Sequence, residues 1–298
     1  MKPISRGWHL FFVIGFFVLL AALAATLYSN YNYIVFKILI ADNYIFTDTL
    51  DEWYKESLGD QPYTYGSRFD HAVVASVTEK IRSINNDRYT YLYTPPAYEL
   101  SREIEKSDAA EARLEELSEK TAYISLPNIS TGTKDFFMDS KKTLSNYENL
   151  VLDLRENYGG LLMDCYAIAD ELLPGGSIVG HEKTRLPFLT HAIKAGGKPS
   201  LEFRKIVVLQ DKNTASAAES LIQALKDNMQ NVVTMGEKTF GKGIGQVTIP
   251  MTGGYAVKAT VLLVTGPQDK SIHGIGISPD IEAPGENILE LALAEAEK

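Results

Sequence analysis

Two residues of this sequence stand where they could carry acyl-transfer chemistry. Ser216 lies in Asn213-Thr-Ala-Ser-Ala-Ala-Glu219, where an apolar, β-branched run hands over to a helical pattern. A serine at such a junction is exposed at a sheet edge. The first helical amides, that of Ala217 among them, lack intrahelical partners and can bind the oxyanion formed when the hydroxyl attacks a carbonyl. The same residues also fit a capping box, in which Ser216 satisfies a helix amide and Glu219 reaches back. From this segment alone both readings stand.

Lys242 lies in Gly236-Glu-Lys-Thr-Phe-Gly-Lys-Gly-Ile-Gly-Gln246. A phosphate-binding loop is the first alternative, but Gly243 occupies the place of the magnesium-binding hydroxyl, and a strand pattern follows where a helix should begin. An ordinary turn lysine between glycines is the second. As a base, the lysine must be neutral. From an unperturbed pKa of about 10.4, burial must lower it by about three units, and Phe240 and Ile244 supply apolar neighbours. The side-chain oxygen of Gln246 could orient the amine without adding charge.

Other nucleophile systems have less behind them. None of the five histidines has a neighbouring catalytic motif; a Ser-His-Asp set using His273 stays open, because triad members need not be close in sequence. No serine precedes a lysine by three residues, and Cys165, the only cysteine, falls among apolar residues of a helical pattern. A lone cysteine permits no intrachain disulfide and no cysteine-based metal site.

The elements that must position these residues follow from periodicity. After Lys120 the pattern alternates: strand 123–126, helix 134–144, strand 150–154, helix 161–173, then strand 205–209, helix 215–227 and strand 232–235. This predicts an α/β layered domain over 121–298. Residues 246–250 and 255–264 read as strands paired across Thr252-Gly-Gly254. Upstream, Val73, Val74, Val77 and Ile81 lie at helical spacing, so 29–100 reads as a small helical cap ending in a loop over 85–96. The charged stretch 101–120, with Leu114 and Leu117 on one side, reads as a single helical linker.

Residues 8–28 run for about twenty positions without a charge, enough for a transmembrane helix. Lys2 and Arg6 keep 1–7 in the cytoplasm and place the rest on the extracytoplasmic side. A cleaved signal peptide, which would release the protein as secreted, is the alternative, with Ala22-Leu-Ala24 as the cleavage pattern. The net charge of −9 argues against a nucleic-acid partner.

Taken together, Thr214-Ala-Ser-Ala-Ala-Glu219, the loop Gly236–Gly243 and Gln246 resemble the C-terminal processing peptidases, or tail-specific proteases. Leu152-Asp-Leu-Arg-Glu-Asn-Tyr-Gly-Gly-Leu161, Asp87-Arg-Tyr-Thr-Tyr-Leu-Tyr-Thr-Pro95 and Gly274-Ile-Gly-Ile-Ser-Pro-Asp280 extend the resemblance over roughly Asp87 to Pro284. It implies Ser216 as nucleophile, Lys242 as general base and Gln246 as its orienter. Oxyanion amides would come from Ala217 and Gly160, with Gly159 beside it. It also implies a ClpP/crotonase-like spiral of strand-strand-helix units, flexible or unfolded polypeptide substrates, and no metal or organic cofactor. Two features depart from the family pattern. There is no room before the first catalytic strand for the usual PDZ insert, and Tyr158 replaces the proline common before the glycine pair. A degenerate fold that binds peptides without cutting is the alternative function.

Overall fold

The computed structural model describes residues 6–46, 69–107, 112–283, 285 and 287–298. Residues 1–5 of the expected cytoplasmic tail, 47–68 of the expected cap and 108–111 of the expected linker lie outside the described residues. The chain forms two compact units, Met1–Glu99 with Gln246–Thr260, and Leu100–Gly245 with Val261–Lys298.

In the first unit, α1 (Arg6–Ser29) gives way after one residue, Asn30, to α2 (Tyr31–Phe36), which runs on as a π-helical turn, Lys37–Asp42. From Phe16 to Tyr28 the large apolar side chains of α1 are exposed, whereas Val35, Phe36, Leu39 and Ile40 are buried. Among the described residues no single helix is long and apolar enough to cross a membrane; Val13–Ser29 and Tyr31–Asp42 pass that test only together, across a 59° bend. Helix α3 (His71–Asn85) starts where Asp70 Oδ1 accepts the Val73 N–H at 3.1 Å, and it stops at Asn86, whose φ of 51° is left-handed. It buries Val74, Val77 and Ile81, as their spacing predicted.

The stretch expected to be a loop contains strand β1 (Tyr91–Tyr93), antiparallel to Ala256, Val257 and Lys258. Asp87 holds this region together from inside. Its buried carboxylate accepts Tyr44 Oη–H at 3.0 Å, Thr90 Oγ1–H at 2.6 Å and the Tyr89 N–H at 2.9 Å. Burial, with the Asp87 charge second, raises the Tyr44 pKa, so the phenol stays a donor.

The charged stretch is not one helix. α4 (Pro95–Ser107) begins earlier, with two prolines in the first turn, where no backbone donor is missed. Arg113–Ser118 is strand β2, antiparallel to β3 (Thr121–Ser125) with Leu114 opposite Ile124. Leu114 and Leu117, three apart, share one side of a helix but point to opposite faces of a strand. Here each packs against a different core.

The second unit alternates thereafter: α5 (Thr131–Leu144), β4 (Asn149–Asp153), α6 (Leu162–Leu172), strands β5 (Ile178–Lys183) and β6 (His191–Lys194), β7 (Lys205–Gln210), α7 (Ala217–Asn228) and β8 (Val232–Gly236). Strands β9 (Ile244–Pro250) and β10 (Ala256–Thr265) form the expected pair, and β11 (Ile281–Glu282) and α8 (Ile288–Ala296) close the chain. Strands β5 and β6, which pair antiparallel with each other, and helix α8 were not expected. The main sheet has the order β11-β8-β7-β4-β3-β2 and is parallel except for β2. Alternation sorts its side chains: Leu150, Leu152, Ile206 and Val208 pack under α5, α6 and α7, while Val151, Val207 and Leu209 pack under α8. Covered on both faces, the sheet leaves its carboxyl edge as the place where loops can build a site.

Asp87→Ala leaves three hydroxyls, those of Tyr44, Thr90 and Thr260, and an amide without their acceptor. It should cost on the order of 3 kcal/mol, read as a lower urea midpoint, with Asp87→Asn losing less.

Candidate active site

Three loops leave the carboxyl ends of β4, β7 and β8. They carry the glycine pair, the serine and the lysine. The first two are laced together. Leu154 N–H donates to Leu209 O at 2.9 Å, Thr214 Oγ1–H to Leu154 O at 2.8 Å, and Ala215 N–H to Asn157 O at 2.8 Å. Asp211 accepts the amides of Asn213 and Thr214, each at 2.9 Å, and that of Glu156 at 3.1 Å.

This lacing holds Ser216 at φ 57° and ψ −119°, a left-handed conformation rare outside glycine and costing on the order of 1–3 kcal/mol. An ordinary cap is extended: Asp70 and Ser130 have φ −95° and −129°. The capping box is formed as well: Glu219 Oε2 accepts the Ser216 N–H at 2.8 Å, and the Ser216 side chain faces the Glu219 backbone amide. The serine backbone departs from the extended torsions of those two caps, however, and makes a sharp turn between strand and helix.

Gly159 lies directly beside it. With φ of 95°, a Cβ built there would stand 2.7 Å from Ser216 Cβ and 3.0 Å from Ala217 N. The Gly159 N–H is taken by Asn157 Oδ1 at 2.8 Å, and its carbonyl accepts the Ile129 N–H at 2.9 Å. Gly159 therefore supplies space. The exposed Gly160, where a Cβ would fall 1.9 Å from Ile129 O, is the member of the pair with an amide to offer.

Glu219 joins the serine to the lysine. Its side chain is fully buried on the first turn of α7 and receives four donors. Oε2 takes the amides of Ser216 and Lys242, each at 2.8 Å; Oε1 takes Thr239 Oγ1–H at 2.5 Å and the Gly241 amide at 2.7 Å. The Ser216 and Lys242 nitrogens thus share one oxygen and lie no farther apart than those two bonds laid end to end. Behind the lysine, Ile277 N–H donates to Thr239 Oγ1 at 2.7 Å and Gly274 N–H to Gly241 O at 2.9 Å. At Gly241, φ 88°, a Cβ would meet Gly276 N at 2.7 Å, so this loop closes only over glycine.

Glu219 thus ties the Ser216 turn to the Lys242 loop, and Gly159 lies against Ser216 and Ala217. Gln246 lies four residues beyond Lys242, on β9, with Nε2 buried and unpartnered among the described residues. The sequence reading missed Asn157, Thr239 and the reach of Glu219 to the lysine loop; all three lie in the quoted motifs, which was the available signal. His273 follows the lysine loop, its backbone N 3.0 Å from where a Gly243 Cβ would stand. A polar cavity of about 370 Å³ opens at the same sheet edge among Arg113, Tyr123, Asp153, Arg155 and Asp211; neither Ser216 nor Lys242 lines it. Asp153 fills one side of it, paired to Arg155 at 2.6 Å.

Cys165 is buried, and burial raises its pKa to about 12. At pH 8 about one molecule in ten thousand carries the thiolate. Iodoacetamide should leave Cys165 unmodified in the native protein and label it in urea. Glu219→Gln turns one acceptor into a donor facing donors. It should lower the reactivity of Ser216 toward a fluorophosphonate about 100-fold, measured as a labelling rate.

Comparison with known proteins follows the same motifs. The profile of peptidase family S41 matches residues 120–283. A carboxyl-terminal-processing protease of Synechocystis sp. is 33% identical over 199 residues, which cover 64% of this chain and 45% of that protein. One from Picosynechococcus sp. is 32% identical over 225 residues, 75% of this chain and 50% of that protein. The chain thus spans about half the length of these relatives. A lipoprotein from Streptococcus agalactiae, 20% identical, shares the fold at a TM-score of 0.58 over 74% of this chain and 79% of its own. With its serine turn, glycine pair and lysine loop all inside the matched residues, the chain belongs to peptidase family S41.

Proposed function

We propose that this chain is a serine endopeptidase working through an acyl-enzyme. Ser216 Oγ attacks the scissile carbonyl carbon while its proton passes to a neutral Lys242 amine, oriented by Gln246. The carbonyl oxygen, now an oxyanion, accepts the amides of Ala217 and Gly160. As the tetrahedral intermediate collapses, the C–N bond breaks and Lys242 returns the proton to the leaving amine. Water repeats the sequence on the ester and frees Ser216. The observation that carries this reading is the single oxygen Glu219 Oε2, which accepts both the Ser216 and the Lys242 amide. The same reading takes the fold as a ClpP/crotonase-like spiral, whose α/β layering agrees with the succession β3-α5-β4-α6, then β5 and β6, then β7-α7-β8.

A membrane anchor completes the reading. α1 has 24 residues, about 36 Å at 1.5 Å each, against a hydrocarbon core of about 30 Å. Its described apolar side chains face outward all round, which a bilayer would cover. No single described helix passes as a full span, so the anchor rests on the uncharged run of residues 8–28 and these outward-facing side chains, while the buried Val35, Phe36, Leu39 and Ile40 belong to the protein core. The substrates are flexible extracytoplasmic polypeptides.

Ser216→Ala and Lys242→Ala should each lower kcat by about 10⁴ or more on an unstructured substrate, with unchanged circular dichroism. Full activity of either variant would refute the mechanism. A fold that only binds peptides would not take a serine-directed phosphonate at Ser216.

A further inference from the structure

Ser216 is not the only strained residue at this site. Glu156, with φ 57°, also holds a side chain in the left-handed region that favours glycine. Asp211 keeps the backbone there, its Oδ2 accepting the Glu156 N–H at 3.1 Å. The exposed carboxylate is itself held on two sides. Both of its oxygens accept Asn213 Nδ2–H, each at 2.9 Å, and Oε2 also accepts Tyr158 Oη–H at 3.3 Å. The Glu156 charge raises the Tyr158 pKa, so the phenol stays a donor. Backbone strain persists at functional sites where it positions a group, and the group positioned here is the tyrosine ring.

That ring is not part of the core. Tyr158 is 66% exposed, and Leu161 and Met163, beyond the glycine pair, are 58% and 74% exposed. The Tyr158 backbone, by contrast, is fastened to the serine turn on both sides. Asn157 O, one residue earlier, accepts the Ala215 N–H at 2.8 Å; Gly159, one residue later, is where a Cβ would fall 2.7 Å from Ser216 Cβ. The Cα atoms of Tyr158 and Gly159 are one peptide step, about 3.8 Å, apart. Through Glu156 the hydroxyl end of the ring reaches Asn213, no more than about 11 Å of chain from Ser216. An extended polypeptide whose carbonyl is held by the Ala217 and Gly160 amides carries its next side chains past this stretch, at about 3.4 Å per residue. All of these residues lie in the second unit.

We propose that Tyr158 is a specificity-determining residue: its ring, tethered through Glu156 to Asn213, forms one wall of the substrate cleft and packs against a large apolar or aromatic side chain within two residues of the scissile bond. This rests on Ser216 as the nucleophile. Where the family pattern has a proline, this chain presents a flat aromatic face, which a planar or branched apolar side chain covers well. Holding the ring at its hydroxyl end reduces the freedom it must lose when a substrate binds, so more of the contact appears as affinity.

The test uses the full chain and quenched-fluorescent peptides in which Phe or Gly is placed, one position at a time, at the two residues on either side of the cut. One position should show at least about a tenfold preference for Phe in kcat/KM. Tyr158→Ala should remove that preference through KM rather than kcat. Tyr158→Phe keeps the ring and loses the tether, and should weaken the preference by about threefold. Glu156→Gly, which takes the left-handed backbone without strain, should act in the same direction. Because the ring is exposed, the Tyr158 variants should keep the urea midpoint of the parent chain. A preference that survives Tyr158→Ala, or no preference at any of the four positions, overturns the assignment. Fluorophosphonate labelling of Ser216 separates the two levels. A chain that labels and cuts without the preference refutes the tyrosine wall alone; a chain that neither labels nor cuts refutes the wall and the peptidase reading together.

Discussion

The buried carboxylate of Glu219 is the interaction on which the rest of the site depends. An acceptor with two oxygens, placed one turn into a helix, takes two amides from the lysine loop, one from the serine turn and a hydroxyl from Thr239. Each of those donors would be costly to bury without a partner. The carboxylate therefore converts three separate requirements into one geometry. The strained serine, the glycine-closed lysine loop and the first turn of α7 become right together.

Strain and support are distributed in an orderly way. The left-handed Ser216 is a local cost, offset by its own bond to Glu219 on α7 and by bonds to the residues before it, Ala215 N–H to Asn157 O after β4 and Phe240 N–H of the lysine loop to Thr214 O. Gly159 contributes by what it lacks, since any side chain there would collide with the serine. The sheet underneath is buried on both faces and parallel in its centre, which makes its carboxyl edge a rigid platform for loops. The Asp87 cluster plays a similar part in the first unit, where one carboxylate collects the hydroxyls of Tyr44 and Thr90.

Much of this was legible in advance wherever a local rule and the global fold agreed. The strands and helices of the second unit follow from apolar periodicity because the parallel sheet needs apolar residues on both faces and its helices need one apolar stripe. The charged segment failed for the converse reason: Leu114 and Leu117 satisfy a helix and an edge strand equally, and only the presence of β3 decides between them. Strands β5 and β6 are short and half polar, so no local pattern marked them.

Residue types, order and spacing by themselves determined the candidate chemistry, namely a serine at a strand-to-helix junction, a glycine pair, a lysine among glycines and an apolar segment ahead of them. Tertiary structure decided whether these meet. Serine φ and ψ, the commitment of the Gly159 amide to Asn157, and the shared oxygen of Glu219 depend on contacts between segments far apart in sequence. A capping box and a nucleophile turn have the same four residues. They differ in backbone torsion, and that torsion is imposed by the neighbouring loops rather than by the residues themselves.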